Sequence, residues 1–209
     1  MPHDDTPPRT IDIAPLTQGR WDDFATLCRR MGGNRGCWCF WWRESKNEPR
    51  IRPRRVEAQA LLAEDRFPGL LAYVGDEPVG WCALDRRSSF PRLNTTRDTA
   101  SAPQGATGRT PADDDPWVLP CFFVLEEWRH RGVTRALLAA SLDEISRRGG
   151  RVVEAVPVDP ATTRRSPSGS YTGTLPLFLA AGFEEVARPT PTGRVLVRRT
   201  LSSGPNPGH

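Results

Sequence analysis

Residues Val124 to Leu138 read V-L-E-E-W-R-H-R-G-V-T-R-A-L-L: a β-prone run leads into a basic turn with one glycine, and an amphipathic pattern follows at once. Upstream, Trp117 to Val124 is rich in aromatic and branched residues and predicts a buried strand. Downstream, Val133, Ala136, Leu137, Ala140 and Ile145 recur at three- and four-residue steps, with Leu142 one residue off phase. Arg135, Asp143, Glu144, Arg147 and Arg148 fill the other face, and Gly149-Gly150 predicts where this helix ends. Gly132 has no Cβ to hold an anion away from the backbone, and the first turn of a helix carries N–H groups without intrahelical partners. With the helix dipole and Arg129, Arg131 and Arg135 around it, the turn reads as an anion cradle. The same residues also fit an ordinary basic helix start with solvated arginines. Neither G-x-x-x-x-G-K-[ST] nor the three spaced glycines of a dinucleotide fingerprint is present in this stretch.

Arg129-His130-Arg131-Gly132-Val133-Thr134 resembles the R/Q-x-x-G-x-G/A acetyl-CoA signature of the GNAT acetyltransferase superfamily. The surroundings are similar too. A strand ending in Val124 precedes the turn, a second strand from Arg151 to Val158 follows the helix, and Leu177-Phe178-Leu179-Ala180-Ala181-Gly182-Phe183 resembles that superfamily's late L-Y-x-x-x-G-F helix end. A C-W-C-aromatic run together with a segment like Tyr171 to Phe178 also occurs among its members. Two positions depart from the pattern: Thr134 stands where the last small residue is usual, and Phe178 where a tyrosine is usual.

The resemblance implies an α/β fold with a central mixed, mostly antiparallel twisted sheet of about seven strands, flanked by about four helices and splayed at a bulged central strand. It also implies acetyl-CoA as cosubstrate, held by Phe123, Val124, Arg129, His130, Arg131, Gly132, Val133, Thr134 and Arg135.

Working outward, Ile11 to Leu16 alternates like a first strand, and Trp21 to Met31 and Arg54 to Glu64 carry helical spacing. Leu70 to Val74 and Val79 to Leu84 flank Gly75-Asp76-Glu77 as a hairpin. Residues 88–115 and 160–173 lose periodicity and read as long loops, which in a domain of this size are often part of a site. Glu184 to Val186 and Arg194 to Thr200 predict two closing strands. At 209 residues and 37% hydrophobic content the chain reads as one domain over residues 10–201, with loose tails at 1–9 and 202–209.

Net charge is +4 and nearly all of the positive side is arginine, with Lys46 the sole lysine, a bias that genome composition also explains. No stretch resembles a signal peptide or reaches the ~18 apolar residues of a membrane span, so a soluble, cytoplasmic protein is expected. Five cysteines at irregular spacing argue against a disulfide framework.

An acetyl thioester needs an amine positioned against its carbonyl and a donor for the developing oxyanion. The resemblance puts a backbone N–H near Val124 in that role. Pro120 in the same strand fits a bulge, or a simple kink. For the base that neutralises the amine, Glu154 is preferred because it sits in the apolar run Val152 to Val156; it also fits a solvent-facing strand position or an ion pair with an arginine. Glu126 and Glu127 come next, or they favour the helix start electrostatically. Phe178 has no proton for the leaving thiolate, so Tyr171 is the candidate acid, with a plain surface tyrosine as the other reading.

Gly36 to Arg43 reads G-C-W-C-F-W-W-R. Trp38, Trp41 and Trp42 either line an acceptor groove, gripping a flat or cationic acceptor, or pack into the core. No second ligand pair accompanies Cys37 and Cys39, so no metal is expected. The reading reached is an acetyl-CoA-dependent N-acetyltransferase acting on a primary amine of a small molecule. A weak acyl-CoA-binding protein of the same fold, or an enzyme acting on a protein or peptide amine, are the alternatives. A nucleic-acid binder fits poorly because acidic residues are mixed among the basic ones, and a homodimer is the default among soluble oligomers.

Overall fold

The computed structural model describes residues 10–31, 36–45, 52–95, 115–162 and 171–202. Seven strands, β1 (Asp12–Pro15), β2 (Gly69–Val74), β3 (Glu77–Arg86), β4 (Trp117–Val124), β5 (Val152–Ala155), β6 (Glu184–Ala187) and β7 (Leu196–Thr200), form one sheet in the order β1-β2-β3-β4-β5-β7-β6. The helices are α1 (Trp21–Arg30), α2 (Arg54–Ala63), α3 (Pro91–Thr95), α4 (Val133–Arg147) and α5 (Leu175–Ala180). Neighbouring strands are antiparallel except β4 and β5, and the crossover that a parallel pair requires contains α4.

The expected loop over 88–115 is corrected in part. Arg87–Ser89 form a 3-10 turn and Pro91–Thr95 a helix, too short for its periodicity to show in the sequence. Residues 96–114 of that segment, 163–170 of the second loop, and the expected tails apart from Ser202 lie outside the described residues.

β4 and β5 pair only where Trp117–Leu119 face Val153–Ala155. On its other side, Ala83 faces Cys121 while Asp85 faces Val118, so β4 takes three steps where β3 takes two. The extra residue falls at Leu119-Pro120, and of the two readings of Pro120 the structure has the bulge. The sheet is therefore splayed beyond Leu119.

Both closing helix ends are set by glycine in the left-handed region. After α4, Gly149 (φ 74°) donates to Ser146 O at 2.9 Å and Gly150 to Ile145 O at 2.8 Å. After α5, Gly182 (φ 78°) donates to Leu179 O at 3.0 Å and Phe183 to Phe178 O at 3.1 Å, while the two phenyl rings meet at 5.1 Å. This doubled hydrogen bond with a hydrophobic contact across it explains the F-x-x-x-G-F spacing as a helix terminator. Phe178, fully buried and edge-on to Phe122 at 6.0 Å, is a core side chain.

α4 lies over β2 and β3, close enough at Gly80 that an added Cβ would stand 2.9 Å from Val133 Cγ1. The other face of the sheet carries an aromatic cluster in which Trp81 meets Phe24 at 4.5 Å and Phe67 at 6.1 Å. Among the described residues no helix is long and apolar enough to cross a membrane.

Candidate acyl-transfer site

The direction of the Val124 amide follows from strand parity. Leu125 N–H donates to Val79 O at 2.9 Å, which makes Val79 and Leu125 a hydrogen-bonded pair of the β3/β4 ladder. Antiparallel pairs alternate, so Gly80 and Val124 form a non-hydrogen-bonded pair, and the N–H and C=O of Val124 face away from β3. Phe122 has the same parity, and its N–H donates to Tyr171 O at 2.5 Å across the splay. The Val124 C=O accepts from Arg129 Nε at 3.4 Å, which folds the basic turn back against the strand end.

A cavity of about 550 Å³ opens at this point. Phe122 and Val124 form one wall, the turn Arg129, His130 and Gly132 with Val133, Thr134 and Arg135 a second, and Tyr171, Gly173, Thr174 and Leu177 a third. Gly132 (φ 85°) is the residue before α4, no side chain caps the helix start, and the first intrahelical donor there is Ala136, to Gly132 O at 3.0 Å. The amides of Val133, Thr134 and Arg135 thus precede the helix ladder at the cavity wall. A Cβ built on Gly132 would meet nothing within 4 Å. His130 is also left-handed, at φ 60°.

The structure therefore brings Val124, Tyr171 and most of the expected cradle to one cavity. Two expected members lie off its lining. Phe123 is buried on the opposite sheet face, 6.2 Å from the Tyr171 ring, and Arg131 stacks over Trp128 at 5.3 Å. Phe122, Trp128, Gly173, Thr174 and Leu177 were missed. Strand alternation groups Phe122 with Val124 and sets Phe123 on the other face, while which of the two faces meets the cavity is set by packing.

Glu154 does not line this cavity. It is 2% exposed, its Oε2 accepts from Arg87 Nη1 at 2.5 Å, and its Oε1 accepts from Arg198 Nη2 at 2.6 Å and Nε at 3.1 Å. Its environment is thus a buried pairing with arginines and not a solvent-facing strand position. Glu127 is bound to Arg30, which also pairs with Glu77 at 2.9 Å, and Glu126 lies in the same exposed 3-10 turn.

None of the three tryptophans lines this cavity. Trp42 is 5% exposed in the core, and half-buried Trp38 stacks on Trp21 at 5.7 Å. Trp41 alone is exposed, beneath Arg92 at 4.2 Å. Their loop turns through two left-handed residues, Trp38 and Cys39, and Cys39 Sγ accepts from Trp81 Nε1 at 2.9 Å. Arg43, next in the loop, pairs with Asp85 at 2.9 Å between the Phe67 and Phe90 rings; burial pulls its pKa down from the usual value while Asp85 opposes the shift. Across the sheet, burial pushes the Cys82 thiol up to about 12. Among the described residues no group of three or more His, Cys, Asp or Glu is placed to hold a metal ion.

The sequence model of the Acetyltransferase (GNAT) family matches residues 35–165. No curated protein matches by sequence. Among solved structures, an acetyltransferase from Thermus thermophilus is 19% identical with a TM-score of 0.50, over 92% of this chain and 97% of that one. PaiA N-acetyltransferase from Thermoplasma acidophilum, in complex with coenzyme A, is 11% identical with a TM-score of 0.52, over 92% and 99%. YncA from Salmonella typhimurium, with its cofactor acetyl-CoA, is 12% identical with a TM-score of 0.52, over 95% and 98%. At these identities the structures share the fold.

Proposed function

The chain belongs to the acetyltransferase (GNAT) family, and from that premise we propose that it is an acetyl-CoA-dependent N-acetyltransferase that passes the acetyl group directly to a primary amine of a small molecule. The observation that carries this reading is the Val124 amide, turned away from β3 at the wall of the cavity that also holds the uncapped start of α4. In this reading the amides of Val133 and Thr134, with Arg129, His130 and Arg135, hold the pyrophosphate of the cosubstrate. The Val124 N–H donates to the thioester oxygen as it becomes an oxyanion. The amine nitrogen forms the new bond to the acetyl carbon, the carbon–sulfur bond breaks, and the nitrogen's proton leaves to solvent. Tyr171, on the same cavity wall, protonates the departing thiolate and is reprotonated from solvent.

The alternative of a catalytically weak acyl-CoA binder turns on Phe178, which has no proton to give a leaving thiolate. That side chain is buried against Phe122 and Phe183 and does not line the cavity, whereas Tyr171, which does, carries the hydroxyl this reading uses.

Calorimetric titration with acetyl-CoA should give saturable binding, and thiol release across panels of small amines and of peptides should separate the two acceptor classes. Absence of binding would sink the reading. Tyr171→Phe should keep acetyl-CoA affinity and lower kcat by roughly 10²-fold, the usual size of a general-acid contribution. An unchanged kcat would remove Tyr171 from the mechanism.

A further inference from the structure

Glu154 is joined to the place where the sheet opens. Its register partner on β4 is Val118, one residue before Leu119, where pairing with β5 ends, and its partner on β7 is Arg198. Through its two carboxylate oxygens it ties Arg87, just past the end of β3, to Arg198 on β7, across the two strands that then part. Arg87 is itself fastened to the approach of β4, since its N–H donates to Pro116 O at 2.8 Å. Val118 and Asp85 are also register partners, so Asp85, Val118, Glu154 and Arg198 share one face of the sheet. Beyond this apex lie the bulge at Leu119-Pro120, the Phe122 amide bonded to Tyr171, and the Val124 amide.

We infer that the Arg87–Glu154–Arg198 bridge is a positioning device for acetyl transfer: it fixes the angle at which β4 and β5 diverge, and through that angle the distance between the Val124 amide and the wall carrying Tyr171. The inference rests on the transferase reading above. Glu154 touches no reacting atom in this scheme and takes no proton. Its charge is needed because two guanidinium groups converge on it, one on each oxygen; a glutamine keeps one acceptor oxygen but turns an NH2 donor towards the other guanidinium and removes the countercharge. A shift of about 1 Å between oxyanion donor and substrate is enough to cost on the order of 10²-fold in rate.

The test compares Glu154→Gln with Arg198→Gln, the second breaking the bridge at a partly exposed partner while leaving the carboxylate in place. Both variants should lower kcat by tens of fold with the amine KM little changed, keep the shape of the kcat/KM pH profile, and be no worse combined than singly. Loss of activity only in Glu154→Gln, together with loss of the acidic limb of that profile, would identify Glu154 as the base and overturn the inference. Wild-type kcat in a folded Arg198→Gln protein would overturn it too, and that comparison stands if Glu154→Gln does not fold. Failure of the wild-type protein to bind acetyl-CoA, by contrast, removes the transferase reading itself and this inference with it.

Discussion

Gly132→Glu should weaken acetyl-CoA binding by about 10²-fold or more, read by calorimetry, while leaving the fold intact. Gly132 sits at φ 85°, where a residue with a Cβ costs about 1–2 kcal/mol, so the backbone is drawn away from the conformation that aims the first amides of α4 at the cavity. The added carboxylate also projects towards the position proposed for the pyrophosphate. A like charge at ~4 Å costs between ~1 and ~4 kcal/mol as the effective dielectric falls from that of water to that near a protein surface. Each 1.4 kcal/mol is tenfold in affinity, so the two effects together reach the stated loss. Gly132→Ala separates them, because its Cβ meets nothing within 4 Å and carries no charge; any loss it shows belongs to the backbone. Binding by Gly132→Glu at wild-type affinity would show that this turn is an ordinary basic helix start.

The largest effect on stability is expected at Trp81. Its ring is 1% exposed, meets Phe24 and Phe67, and donates its N–H to Cys39, so it joins α1, the aromatic loop and the sheet. Trp81→Ala should cost about 3–5 kcal/mol, a large share of the ~5–15 kcal/mol total for a domain. At an m-value of about 2–3 kcal/mol/M the urea midpoint falls by roughly 1–2.5 M. A second substitution makes the test specific. A Cβ on Gly69 would stand 1.9 Å from Trp81 Cη2, so Gly69→Ala is destabilising on its own. In the Trp81→Ala background that ring is gone, and the added methyl should cost little. Additive losses would show that Gly69 is constrained by something other than the indole.

The strongest local signals in the chain survived folding with little change. Trp117 to Val124 is a strand over those residues, the helix begins at Val133, and Gly149-Gly150 and Gly182 end α4 and α5 through hydrogen bonds between near neighbours. Each depends on a short-range period or on a backbone conformation that glycine alone adopts freely. Pro120 announced a disturbance of β4, but whether that was a kink or a bulge depended on counting residues against β3.

What the sequence by itself determined was the strand, turn and helix that make the cradle, because the pattern of buried and exposed positions and the left-handed Gly132 are properties of adjacent residues. The tertiary structure alone decided that the face of β4 carrying Phe122 and Val124 meets the cavity, that Trp42 is core, and that Glu154 is held by Arg87 and Arg198, which lie 67 and 44 residues away along the chain. A side chain's face is set by strand register and a buried charge's partner by which distant strands meet. Both are fixed by packing across the sheet, where a shift of one residue turns every side chain over.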